Sequence, residues 1–204
     1  MTRKALSLAL ASVLSCTIAF GADSNYTTEG KEKVTRNGMN FYVEPNSPLK
    51  ERILSGKFDK SLERMKKAYE ANKNNEATKA AAPPVSAVYI IGVCSSQMKE
   101  QTGYDCEEIP SDTQTETIIN HGGNPFEVIT GVVGYGGRST DSATFAGNQA
   151  TMIECQGAVN NSNIVYGWLE VWDISKPSNT NGTFTYTARS INVGPTMSAS
   201  IYIK

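Results

Sequence analysis

From Val85 to the last residue the chain breaks into short runs of β-type residues, each bounded by Gly, Pro, Asn or Ser clusters, and this pattern constrains the fold more than any other feature. The runs are Val85 to Val93, Thr113 to Ile119, Phe126 to Val133, Thr151 to Glu154, Ile164 to Ile174, Thr183 to Ser190 and Ser198 to Ile203. Seven such runs with no helical periodicity between them predict a mostly β fold, a compact antiparallel β-sandwich or small barrel. Alternation orients one strand: Thr183, Thr185, Thr187 and Arg189 share the face opposite Phe184, Tyr186 and Ala188. The first run is apolar on both faces, as a central strand would be.

Upstream the pattern is different. Ser47 followed by Pro48 marks a helix start running to Leu54. After Ser55 and Gly56, the residues Phe58, Leu62, Met65 and Tyr69 recur at helical spacing, with Lys, Arg and Glu on the other side. Asn72 to Pro84 has no apolar period and ends in two prolines, so it reads as a linker. Met39, Phe41, Tyr42 and Val43 form one apolar patch able to pair as a strand. The expected organisation is a signal segment over 1–21, an extended polar segment over 22–48, an amphipathic helical arm over 49–72, a linker over 73–84 and a β-sandwich over 85–204.

The signal segment rests on Arg3 and Lys4 followed by an apolar run to Phe20, with small residues at Ala19 and Gly21. A lipoprotein anchored at Cys16 is the lesser alternative. No later run is long enough to cross a bilayer, so the expectation is a secreted protein, extracellular or periplasmic. Export favours oxidised cysteines. Of Cys94, Cys106 and Cys155, sequence allows three pairings; Cys94 with Cys106 is favoured because they bracket a short polar segment, which leaves Cys155 as a buried hydrophobe.

Net charge is −1, with basic residues in excess between Lys50 and Lys79 and acidic ones in excess from Val85 on. Such asymmetry suits a tail for an anionic partner, or more simply two parts that attract each other. No nucleic-acid partner and no cofactor or metal is expected, and membrane contact through the arm is a lesser reading than docking.

The candidate contact residues are Tyr166, Trp168, Glu170 and Trp172, which alternation places on one face, together with Tyr135 and Arg138 on a glycine-rich turn. If Val165, Leu169 and Val171 face the core, the aromatic row is a surface platform for a glycan or protein; the plainer alternative covers both faces. A thiol site would pair Cys94 with His121, oriented by Asp112 or Glu116, but a disulfide and a surface histidine explain both residues more simply. The acidic loop Asp105, Glu107, Glu108 and Asp112 lacks calcium-loop spacing. Gly131, Gly134, Gly136 and Gly137 lie where no helix follows, which suits turns better than a phosphate loop.

The turn Gly134-Tyr135-Gly136-Gly137, the run around Trp168 and Trp172, the segment Gly182 to Tyr186 and the ending Met197 to Lys204 together resemble a family of small secreted bacterial β-proteins of unknown function, the YolA-like proteins. The resemblance covers about the last 120 residues and implies secretion and a β-fold, with no activity or site residues to carry over. The leading functional expectation is a non-catalytic protein that binds a cell-surface or extracellular partner in competition or host interaction. The alternatives are a toxin or hydrolase held by a pro-segment, and a membrane-active protein.

Overall fold

The computed structural model describes residues 28–73, 83–136, 140–176, 180–191 and 193–204. The expected signal segment with Cys16, most of the linker, and Arg138 lie outside the described residues.

A hairpin comes first. Strand β1 (Glu32–Arg36) and strand β2 (Met39–Val43) are joined by Asn37 and Gly38, both with positive φ, the backbone that matches a tight hairpin to strand twist. Helix α1 (Pro48–Leu54) begins where Ser47 Oγ accepts the Leu49 amide at 3.0 Å, and helix α2 (Asp59–Asn72) carries the apolar stripe. Then follow β3 (Ala87–Ser95), α3 (Ser96–Thr102), β4 (Cys106–Glu108), β5 (Phe126–Val133), β6 (Ser142–Phe145) and β7 (Asn148–Gln149). The chain ends with β8 (Thr151–Val159), β9 (Val165–Asp173), β10 (Gly182–Arg189) and β11 (Thr196–Ile203).

These strands build a curled seven-stranded antiparallel sheet, ordered β1-β2-β8-β9-β5-β3-β4, and a four-stranded sheet, ordered β11-β10-β6-β7. The fold is the mostly β architecture that the sequence predicts. The larger sheet is the middle layer. On one side Phe41, Leu49, Ile53, Leu62 and Met65 pack on Ile91, Ile129, Leu169 and Val171. On the other, Val128, Val132, Trp168 and Trp172 meet Phe145, Phe184, Tyr186 and Ile201. The alternation in β10 holds, with Phe184, Tyr186 and Ala188 fully buried.

The arm and the β-region share a core. Strand β2 pairs with β8, Asn40 to Tyr42 against Val159 to Gly157, and Phe58, Leu62 and Met65 are buried against the sheet. Their apolar surface is therefore unavailable to a bilayer. Opposite charge reinforces the contact: Arg52 bonds Asp105 at 3.2 Å and Glu127 at 2.8 Å, Lys57 reaches Asp105, and Arg64 lies 3.2 Å from Asp112. The acidic loop is thus held by basic residues of the arm, and among the described residues there is no metal-binding group of side chains.

Two local expectations are corrected. A helix, α3, does occur after Val85; Ser95 Oγ accepts the Met98 amide at 3.1 Å and Gly103, at φ 80°, ends it. With Met98 as its one buried residue, it leaves no periodic stripe to read. The run Thr113 to Ile119 does not form a strand beyond a parallel bridge of Glu116 with Tyr202, because the Ile118 and Ile119 amides donate instead to the Glu107 carboxylate.

Candidate functional site

The aromatic platform does not form. Tyr135, Tyr166, Trp168, Glu170 and Trp172 are all buried, because both faces of the larger sheet are covered. A bulge where β9 meets β8, between the pairs Val159 with Val165 and Ala158 with Gly167, adds a step to the alternation. Tyr166 accordingly faces the helices and stacks on Tyr69, ring centres 3.9 Å apart, while Trp168 and Trp172 face the four-stranded sheet. Trp172 Nε1 donates to Thr130 Oγ1 at 2.9 Å. Glu170 sits between the tryptophans, fully enclosed, and burial followed by the nearby Asp141 pushes its carboxyl well above the usual range. Its neutral form is the one this enclosed site favours. The neighbouring turn is steric: Gly134 has φ 101°, and a Cβ there would meet the Pro84 carbonyl oxygen at 2.2 Å.

Chemistry-bearing groups gather instead beside the disulfide. Cys94 and Cys106 are bonded and face each other across β3 and β4, Cα atoms 4.0 Å apart. One residue beyond each, and so on the opposite face, stand Ser95 and Glu107. His121 joins them, Nδ1 3.1 Å from Ser95 Oγ and Nε2 3.3 Å from Glu107 Oε2. Ser95 Oγ also accepts the Met98 amide, and the Glu107 carboxylate, which can only accept, takes the N–H of Nε2. Burial pushes the Glu107 carboxyl up, but hydrogen bonds from His121, Ile118 N and Ile119 N outweigh it and hold the group below its usual value. Cys94 is therefore no thiol nucleophile, and His121 turns to Ser95 and Glu107 rather than to Asp112 or Glu116.

A hydroxyl, an imidazole and a carboxylate in series can in principle make an alkoxide nucleophile. Here the parts are closed. Ser95 is 2 % and His121 1 % exposed, and the amides of the first turn of α3 are committed: Ser96 N to Pro125 O, Gln97 N to Gly122 O and Met98 N to Ser95 Oγ. That leaves no pair of donors at Ser95 to stabilise an oxyanion. The cluster acts as a clamp, tying the loop 116–125 to β3 and β4 while Thr117 N binds the carbonyl of Tyr202 in β11 and His121 N that of Lys204 just after it.

The outer face of β11 and its free edge are accessible. The outer face of the four-stranded sheet carries Thr187 in register with Ser198 and Ser142, and Thr185 with Ser200 and Thr144. Tyr202 is 42 % exposed, and Ile118, beside it through the Thr117 bond, is 74 % exposed. An open groove of about 390 Å³ runs along the β11 edge, floored by Val88, Ile90, Ala199 and Ile201 and rimmed by Gln114 and Thr115.

Residues 77–203 match the family model described as Domain of unknown function (DUF4879). The chain belongs to this family. Neither the curated proteins nor the solved structures gave a match. On the structure, the DUF4879 region takes in the whole four-stranded sheet together with β3, β4, β5, β8 and β9 of the larger one. The hairpin β1–β2 and helices α1 and α2, which cover the other face of that sheet, precede the DUF4879 match.

Ser95 and Glu107 escaped the sequence reading as a pair. Their signal was the favoured Cys94–Cys106 bridge, which brings the residues following each cysteine to one face of neighbouring strands. Ile118 and Tyr202 left a weaker mark, since exposure of single apolar residues is not written in local pattern.

Proposed function

We propose that this protein is a non-catalytic binding protein that meets an extracellular or cell-surface partner on the β11 side of the sandwich. The observation that carries the reading is the exposure of Ile118 and Tyr202 on segments whose neighbouring residues line an open groove, since large apolar side chains held in solvent next to a concave surface suit a contact. Export belongs to the same proposal, as does kinship with the YolA-like proteins; the disulfide and the β-fold support both. The test is binding of fluorescently labelled protein to intact bacterial and host cells, compared with the double variant Ile118→Ser, Tyr202→Ala. Both side chains are solvent-exposed, so the variant folds, and equal binding by the two proteins refutes the assignment.

A second reading, a hydrolase, rests on the Ser95–His121–Glu107 chain. Labelling of native protein at Ser95 by a fluorophosphonate would establish it, and the closed geometry predicts no labelling.

A further inference from the structure

We infer that the groove between β3 and β11 takes an extended peptide as an added strand, hydrogen-bonded to the outer edge of β11. This rests on the binding-protein reading and names the partner's chemistry.

The two walls of the groove are strand edges. Strand β4 pairs only with Gly92 to Cys94, so the Ala87 to Ile91 half of β3 has no strand on that side among the described residues. On the other wall, Tyr202 turns its backbone away from β10: its N–H donates to Thr115 O at 2.9 Å and its C=O accepts from Thr117 N at 2.9 Å. The β10–β11 register is unbroken from Thr196 to Ile203, and antiparallel ladders alternate, so Ser200 and Ser198 direct their N–H and C=O to the same side. That side is the groove, which both residues line.

The chain itself begins the strand that would fill it. Residues 115–117 run parallel to β11 for one bridge, then the chain before them departs in a turn closed by Gln114 N to Ser111 O at 3.2 Å. Beyond that turn the edge continues without a companion strand among the described residues. A row of main-chain donors and acceptors along an edge recognises another extended backbone. The floor of Val88, Ile90, Ala199 and Ile201 suits a peptide with small apolar residues at alternate positions. A sugar is less well served, because no aromatic ring lines the groove and its carboxylate, Asp112, is paired with Arg64.

The experiment is amide NMR on the ¹⁵N-labelled protein titrated with a pool of heptapeptides, Thr at alternate positions, randomised apolar residues between them and Lys at each end. Expected are shifts of the Ser198 and Ser200 amides and roughly tenfold slower hydrogen exchange there. In Ser198→Pro, which removes an outward N–H while the Met197 and Ala199 bonds to β10 remain, both effects vanish at the Ser200 amide, the one read in this variant. Ser200→Pro serves as the second variant if the first fails to fold. Unchanged Ser198 and Ser200 amides across the pool, or effects that persist in folded Ser198→Pro, overturn strand addition. Neutral polysaccharide that perturbs the Thr185 and Thr187 methyls but not these amides would also overturn it while leaving a binding protein; failure of the Ile118, Tyr202 comparison on cells removes the broader reading.

Discussion

Tyr166 and Trp168, two positions apart on one strand, lie on opposite faces of the seven-stranded sheet. The bulge between them hands Tyr166 to the helices and both tryptophans to the inter-sheet core. Trp168→Ala and Trp172→Ala should therefore each lower stability by about 3–5 kcal/mol in chemical denaturation, as expected when a large core aromatic is truncated. Tryptophan fluorescence of the native protein should resist acrylamide quenching. Variants as stable as the parent would contradict the burial.

The helical arm should behave as core. Leu62, fully buried between α2 and the sheet, is expected to cost about 2–5 kcal/mol when changed to Ala. Deletion of residues 28–73 should give protein that binds a hydrophobic dye and loses cooperative unfolding. A soluble, cooperatively folded product would revive the pro-segment idea.

Glu107 predicts an acid limit to the clamp. Its folded carboxyl lies below the usual value, so its contribution is present above the unfolded carboxyl range, near pH 4.3, and is lost as pH falls through the folded value. Glu107→Gln should cost about 1–3 kcal/mol at neutral pH and accelerate hydrogen exchange at the Ile118 and Ile119 amides, which NMR reads directly.

Glu170 has the opposite sign. Its folded carboxyl is raised, so its contribution is intact below the unfolded value near pH 4.3 and declines by about 1.4 kcal/mol per pH unit as pH rises toward the folded value. Glu170→Gln, uncharged at every pH, should remove that decline. Parallel stability profiles for parent and variant between pH 4 and 8 would refute the assignment.

Reduction of the Cys94–Cys106 bridge, which spans a separation of 12 residues, should cost about 3 kcal/mol by chain entropy. Urea unfolding with and without reductant measures it.

What the sequence made legible follows from how local each signal is. The Ser47 cap, the α2 stripe, the alternation in β10 and the Cys94–Cys106 pairing depend on residues close in the chain. The burial of Trp168 and Trp172 did not, because alternation reports two faces and not what lies over them, and the bulge at Tyr166 needs the partner strand to be seen. Likewise His121 could be read as a turn residue, whereas its engagement with Ser95 and Glu107 requires three separate segments to meet.

The placement of the β1–β2 hairpin bears on how copies of this molecule keep apart. Strand β8 would otherwise end the sheet with the edge at Gly157 to Val159, and the hairpin takes up that edge. The new border, β1, bears Glu32, Lys33 and Arg36, with Lys33 tethered to Asn163 and Glu32 to Lys50. A second copy pairing along β1 would have to desolvate these charged side chains and disturb the contacts they already make. Five residues at the margin thus guard the colloidal behaviour of the whole sheet, and a truncation that begins after β2 is expected to show itself first as self-association at high protein concentration.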